Sequence, residues 1–312
     1  MEMVIRDMVI EDDSPSVLQI INQFNNEPIS LETFKNNHNT YNHSPIIKRV
    51  VLELNKRIIG FGFVVSETPN IPPGFLFEKI FVDKHYQSQG FGRIIESVLW
   101  SSVIDAKPLG IQSIINEGDL KSKKWAEKYA FIVKEVQFES VLDLSTHSLT
   151  RIEDKLNQHE KNGLTFKTMK HYPGDEHFEL LCELFRTLLK DSPDCNGTEM
   201  GKDMAVSLLK TFKEENIILA IIDNRWIGMT VLFNRNKNEI YNFFTGTIEE
   251  MRGNGIATAL KLKAISKSIP MGYIRMRTNN LSTNYPMLSV NKKLGFVQHP
   301  GKLILTKQLV WS

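Results

Sequence analysis

The sequence predicts two tandem domains of one mixed α/β type, each a partly parallel sheet flanked by helices. Three observations carry that expectation. The chain has 312 residues, enough for about two domains that each bury a core. Within each half, hairpin-like strands are mixed with strands that alternate with helices. One half also repeats the other: Gln87, Gly90 and Gly92 map onto Arg252, Gly255 and Ala257 with a single offset of 165 residues, which also carries Asp119 to Asn284, Ser122 to Met287 and Ala130-Phe131 to Gly295-Phe296.

Taken in order, residues 3–10 alternate as a strand, and Ser14-Pro15 reads as an N-cap and first-turn proline opening an amphipathic helix to Phe24. A weaker helix follows over residues 30–37. Strands Ile47–Leu54 and Ile58–Val65 flank the polar turn Asn55-Lys56-Arg57, a hairpin signal. After the Pro-rich loop Thr68–Gly74, strand Phe75–Val82 runs into the turn ending at Gly92, and a helix with core positions Ile94, Ile95, Val98 and Leu99 leaves it. Strand Ile111–Ile115, helix Leu120–Lys128 and strand Val133–Leu144 complete a first domain over 1–144. Residues 145–163, a mostly polar helix ended by Asn162-Gly163, read as a linker. The second domain, 164–312, repeats the order, with Asp223-Asn-Arg225-Trp-Ile-Gly228 answering the hairpin Asn55–Gly60.

The stretch Thr245 to Lys261 is the chemical centre of that second domain. An apolar strand, Ile240–Phe244, enters it, and a helix-period run, Ile256, Leu260, Leu262 and Ile265, leaves it. Arg252-Gly253-Asn254-Gly255-Ile256-Ala257 thus falls at a strand-to-helix turn, where amides without intrahelical partners and side-chain-free glycines favour an anion. A lone turn of this kind is as often a simple helix cap, but its repetition at Gln87–Gly92 raises it to a candidate phosphate cradle. Neither turn has the third glycine of a dinucleotide fingerprint.

Basic residues exceed acidic ones by only 38 − 36 = 2 and are scattered, so neither nucleic acid nor a membrane surface is implied as partner. No apolar run approaches a membrane span, and the charged N-terminus lacks a signal peptide's apolar core, which together point to the cytoplasm. Of the two cysteines, Cys182 lies in an apolar helical run and Cys195 in a loop, with no metal-ligand spacing, so no metal is expected.

The turn Gln/Arg-x-x-Gly-x-Gly/Ala and the downstream Gly-Phe at Leu294-Gly295-Phe296, weaker at Tyr129-Ala130-Phe131, resemble the GNAT superfamily of acyl-CoA-dependent N-acyltransferases, duplicated in one chain. Thr278-Asn279, Asn284, Met287-Leu288 and Asn291 are similar to the C-terminal half of tandem GNAT enzymes such as mycothiol synthases. The resemblance implies, in each domain, a mostly antiparallel sheet with a splayed parallel strand pair, here Ile240–Thr247 and Tyr273–Thr278, holding acetyl-CoA as cosubstrate. It places the pyrophosphate on the amides from Arg252 to Ala257 and the pantetheine along the strand before the turn. Asn284 then contacts the pantetheine arm or caps its helix, while Gln87, Gly90 and Gly92 mark a second cofactor turn.

By the same resemblance the reaction is direct attack of a primary amine, from a small molecule or peptide, on the thioester. A backbone amide near Thr245 to Thr247 would stabilise the oxyanion. The tyrosine that commonly protonates the leaving sulfur is replaced by Asn291 in the second domain and Ala126 in the first, which points to the second as catalytic. Tyr241 and Glu250 are the candidate bases there. Glu78, on the first domain's strand, aligns with Phe243 and reads as a solvated residue. The alternative is a non-catalytic protein that binds or senses acetyl-CoA. The acceptor and the oligomeric state stay open.

Overall fold

A computed structural model describes residues 2–25, 28–39, 41, 44–66, 71–192 and 199–311. The expectations that fall on Thr68–Asn70 and Cys195 lie outside these. The chain forms two compact units, one of Met1–Lys134 with Leu303–Ser312, the other of Glu135–Lys302. These limits differ from the expected boundaries at 144 and 164.

In the first unit, β1 (Met3–Asp7), β2 (Ile47–Leu54), β3 (Arg57–Val65), β4 (Phe75–Val82) and β5 (Gly110–Asn116) lie side by side in that order, joined beyond β5 by the end of β12 (Val297–Gln308). The β2–β3 loop puts both Asn55 and Lys56 at positive φ, 50° and 64°, the two-residue turn whose twist suits a hairpin. Alternation along the strands serves two cores. Val50, Leu52 and Leu54 pack with Ile95 and Leu99 of α3 (Phe91–Val103), whereas Val51, Phe61 and Phe63 pack with Val17 of α1 (Ile10–Asn22) and Phe34 of α2 (Leu31–Asn39). Helix α1 starts earlier than Ser14-Pro15 implied. The Asp13 carboxylate accepts from the Val9 amide at 2.7 Å and pairs with Arg6, so Pro15 falls inside the helix. A surface cavity of about 450 Å³ lined by Pro73, Phe75 and Leu109 lies at the start of β4, away from Gln87–Gly92.

In the second unit the order is the start of β12, then β6 (Ile132–Asp143), β11 (Arg275–Leu281), β10 (Glu239–Thr247), β9 (Arg225–Asn234), β8 (Ile217–Ile222) and β7 (Thr165–Thr168). Gly301 on β12 is pressed so closely on β6 that a Cβ there would meet the Gln137 carbonyl at 1.7 Å. After α4 (Leu120–Lys128) of the first unit comes α5 (Leu149–Lys161), the expected linker. It belongs to the second unit, burying Ile152 and Leu156 in that unit's core with Leu260 and Ile265 of α8 (Ile256–Ser268). Helices α6 (Asp175–Lys190) and α7 (Lys202–Leu209) precede β8, and α9 (Tyr285–Lys293) precedes β12. Cys182 is a buried core residue of α6, as its apolar run implied. The mixed sheets with flanking helices agree with the fold expected from the sequence. No described helix is long and apolar enough to cross a membrane.

Candidate active site

Strands β10 and β11 run parallel and pair over only three rungs, Glu239–Arg275, Ile240–Met276 and Tyr241–Arg277. Beyond them the strands part: β11 goes on with β6 through Leu281, and β10 with β9 through Thr247. Within β10 the pairing to β9 jumps from Asn242–Leu232 to Phe244–Val231, a bulge whose extra residue is Phe243. The bulge turns Phe243 and Phe244 to one face. Phe243 packs on Phe212, and Phe244 on Phe185 of α6, with ring centroids 5.0 Å and 5.2 Å apart.

On the opposite face, towards α8, lies a buried polar network that the sequence reading missed. Asn242 Nδ2 donates to Thr230 Oγ1 at 2.7 Å and to the Phe244 carbonyl at 3.2 Å, and Thr245 Oγ1 donates to Asn242 Oδ1 at 3.0 Å. Lys261 Nζ donates to the same Oδ1 at 2.7 Å and sits 5.1 Å over the Phe296 ring. Burial alone pulls the Lys261 ammonium down to about 7. Read from sequence alone, Lys261 has no assigned role. The available signal was the composition of α8, which buries Ala259, Leu260, Leu262 and Ala264 around more than one side.

Amides on a strand point alternately to its two edges. The Ile248 amide bonds the Ile227 carbonyl beside β9, so the Thr245 and Thr247 backbone groups face the gap between β10 and β11. The Thr245 hydroxyl, by contrast, belongs to the buried network. At the head of the gap, Gly253 and Gly255 take φ of 80° and 77°, the left-handed region that suits glycine. A Cβ on Gly253 would meet nothing within 4 Å, and one on Gly255 would meet His159 of α5 at 3.3 Å. Among the described residues the amides from Gly253 to Ala257 have no backbone acceptor, and they gather at the N-terminus of α8. The residues present therefore fit an anionic group such as a pyrophosphate.

The side chains around this turn are occupied. Arg252 pairs with Asp191 at 2.9 Å, and Asn254 Nδ2 reaches the Met251 and Arg252 carbonyls at 3.4 Å. Ile256 is buried and Ala257 half-buried at the start of α8. Glu250 is exposed; its own backbone amide, and then Arg225 at 2.6 Å, hold its carboxyl below the ordinary value, which weakens it as a base. Asn284 caps α9, accepting from the Met287 amide at 3.3 Å, so its capping role is present. Asn291 is 2% exposed and donates to Asn280 Oδ1 at 2.7 Å. Its amide nitrogen thus ties α9 to β11, and its own Oδ1 is buried without a partner among the described residues. Tyr241 stacks on Phe233 at the last paired rung, on the face opposite Lys261.

The first unit repeats the frame. Strands β4 and β5 are parallel over Phe75–Gly110 to Phe77–Gln112 and then part. Gly90 has φ of 90°, and Ser88 takes the left-handed place of Gly253 at 63°. Gln87 accepts from Lys121 Nζ at 3.3 Å, and a Cβ on Gly92 would have room, 3.8 Å from Val82. Two features differ. Strand β4 has no bulge against β3, and Ser113 Oγ donates across the gap to the Glu78 carbonyl at 2.9 Å. Strand pairing also corrects an alignment: Glu78 answers Asn242, not Phe243, because the bulge inserts Phe243. Nor is Glu78 solvated. It is 2% exposed, and burial with the neighbouring Glu96 raises its carboxyl to about 8.

Residues 181–296 match the model of the Acetyltransferase (GNAT) family. Solved structures share the fold along nearly the whole chain. A GCN5-related N-acetyltransferase from Sphaerobacter thermophilus is 14% identical, with a TM-score of 0.71 over 98% of this chain and 95% of that one. A tandem GNAT protein from the clavulanic acid biosynthesis pathway is 15% identical, with a TM-score of 0.72 over 100% of both chains. The GCN5-related glucosamine N-acetyltransferase region of a fungal multi-domain GH3 β-N-acetylglucosaminidase is 12% identical, with a TM-score of 0.72 over 98% of this chain and 38% of that one. No curated protein matches the chain. Residues 181–296 are thus similar to the GNAT acetyltransferase family, and the chain as a whole has the fold of a tandem GNAT protein.

Proposed function

We propose that the second unit transfers the acetyl group of acetyl-CoA to a primary amine of a small molecule or peptide, by direct attack on the thioester. One observation carries this reading. The gap between β10 and β11 ends at a turn whose Gly253–Ala257 amides have no backbone acceptor among the described residues, so a strand-like arm and an anionic group find their sites end to end. The cosubstrate supplies an acetyl group already activated as a thioester. Backbone amides from Gly253 to Ala257 hold its pyrophosphate, the Arg252 amide being taken by the Glu249 carbonyl, and the Thr245 and Thr247 backbone pairs with its pantetheine. One of those two amides stabilises the oxyanion. The network of Lys261, Asn242, Thr230 and Thr245 keeps the bulged strand in place. Asn291 positions β11 through Asn280, and Tyr241 stands on the side from which an amine approaches.

The second unit is favoured for the chemistry because the first lacks the bulge and its gap is crossed by the Ser113 hydroxyl. A second reading, acetyl-CoA bound but unreacted, is favoured by the absence of an acidic proton at Asn291 and Ala126. Free thiol released from acetyl-CoA across a library of amines tests the two. Release that fails with Gly255→Glu and survives with Gly90→Glu supports the proposal. Loss with Gly90→Glu alone overturns the choice of unit, and binding without release in the native chain favours the second reading.

A further inference from the structure

The acceptor's side of the gap is built differently from the side facing α8, and its chemistry narrows the acceptor. Towards α8 and α9 the gap is closed: Asn242, Lys261, Thr278, Asn280 and Asn291 are each buried. Alternation along β11 sends Thr278 and Asn280 to that closed face and Arg277 and Asn279 to the other, in agreement with the Asn280–Asn291 bond on one side and the Arg277–Glu139 pair on the other. An amine therefore enters past Tyr241, Phe243 and Asn279.

This entry face carries a row of rings. Tyr241 and Phe233 are 4.9 Å apart, Phe233 and Phe212 6.4 Å, and Phe212 and Phe243 5.0 Å. Phe243, the bulge residue, is 38% exposed. Across the opening, Asn279 stands two residues beyond the last paired rung of β11, as Phe243 does on β10. Its Oδ1 is buried with no hydrogen-bond partner among the described residues, an acceptor waiting for a donor. The carboxylates on this face of β6 and β10 are already taken: Glu239 by Arg275 and Arg277, Glu139 by Arg235 and Arg277. Neither is left to receive a second ammonium.

We infer that the acceptor is a primary amine borne on a flat aromatic body, with the body against Phe243 and Phe212 and an N–H of the amine donated to Asn279 Oδ1. This rests on the acetyl transfer proposed above. The nitrogen lone pair forms the new C–N bond, the C–S bond breaks with its electrons on sulfur, and the proton lost by nitrogen ends on that sulfur. Amine and thioester thus give amide and thiol.

The test uses the whole chain, with acetyl-CoA binding followed by calorimetry and thiol release followed with phenethylamine, tyramine, spermidine and glucosamine. The expected result is a kcat/KM for the two aromatic amines at least about tenfold above that for the other two. Phe243→Ala then raises KM for the aromatic amines by about tenfold with little change in KM for acetyl-CoA, and Asn279→Ala lowers kcat while Asn279→Asp restores part of it. Spermidine or glucosamine turned over as well as the aromatic amines, or Phe243→Ala affecting all four alike, overturns the inference while leaving acetyl transfer intact. A chain that does not bind acetyl-CoA overturns both.

Discussion

Lys261 Nζ lies 2.7 Å from Asn242 Oδ1, and the matching positions of the first unit hold Glu96 and Glu78. Each unit therefore buries an ionisable group under the gap between its parallel strands, of opposite sign in the two. Burial of a charge without a full partner is costly, and the cost depends on pH.

For Lys261 the ordinary value is 10.5 and the folded one about 7. Between these pH values the unfolded chain holds the extra proton, so stability rises with pH across that window, and the full cost is felt below it. Lys261→Met is expected to be more stable than the native chain by up to about 5 kcal/mol below pH 7, at 1.36 kcal/mol per pKa unit. The gain should fade towards pH 10.5. Urea unfolding at pH 6 and pH 9.5 measures it. The same variant loosens the bulge, so thiol release should fall about tenfold, the equivalent of about one hydrogen bond's contribution.

Glu78 has the reverse sign. Its carboxyl moves from 4.5 to about 8, so the folded chain holds the extra proton between these values and stability falls as pH rises through them. Glu78→Gln should match the native chain at pH 4 and exceed it above pH 8, by up to about 5 kcal/mol. Melting curves at the two pH values decide it.

Ala130 takes φ of 60° where Gly295 takes 89° in the second unit. Both follow a helix whose end is closed alike, the Phe131 amide on the Ala126 carbonyl and the Phe296 amide on that of Asn291. Ala130→Gly relieves the left-handed strain and should stabilise the chain by about 0.5–1 kcal/mol, and Gly295→Ala should destabilise it by at least as much. Denaturant midpoints give both numbers.

The Arg252–Asp191 pair is half-exposed, so Asp191→Ala should change stability by less than about 0.5 kcal/mol. It also removes a negative charge beside the phosphate cradle and releases the guanidinium. Coenzyme A is expected to bind about threefold tighter at low salt, and calorimetry at low and high ionic strength should show the gain shrink as charges are screened.

What was legible in the sequence follows from what local chemistry demands. The repeated turns were visible because left-handed backbone at a helix start selects glycine, and the hairpin turns because Asn and Asp tolerate the same region. The bulge was not: one inserted residue leaves the alternation readable on either side and slid Glu78 onto Phe243. Burial of Lys261 is set by neighbours on β9 and β10 far away in sequence. The start of α1 was misplaced because Asp13, capped against Val9 and tied to Arg6, outcompeted Ser14. The domain boundary was missed because β6 and β12 carry strand patterns that fit either unit.

That last feature reaches into biosynthesis. Residues 303–308 complete the sheet of the first unit, so residues 1–134 stay one strand short on the ribosome until residues 303–308 emerge. During translation β5 keeps an open edge, and the second unit can close before the first does. A gene cut at the apparent boundary near residue 144 would give the N-terminal fragment that missing edge permanently and leave the C-terminal fragment without β6.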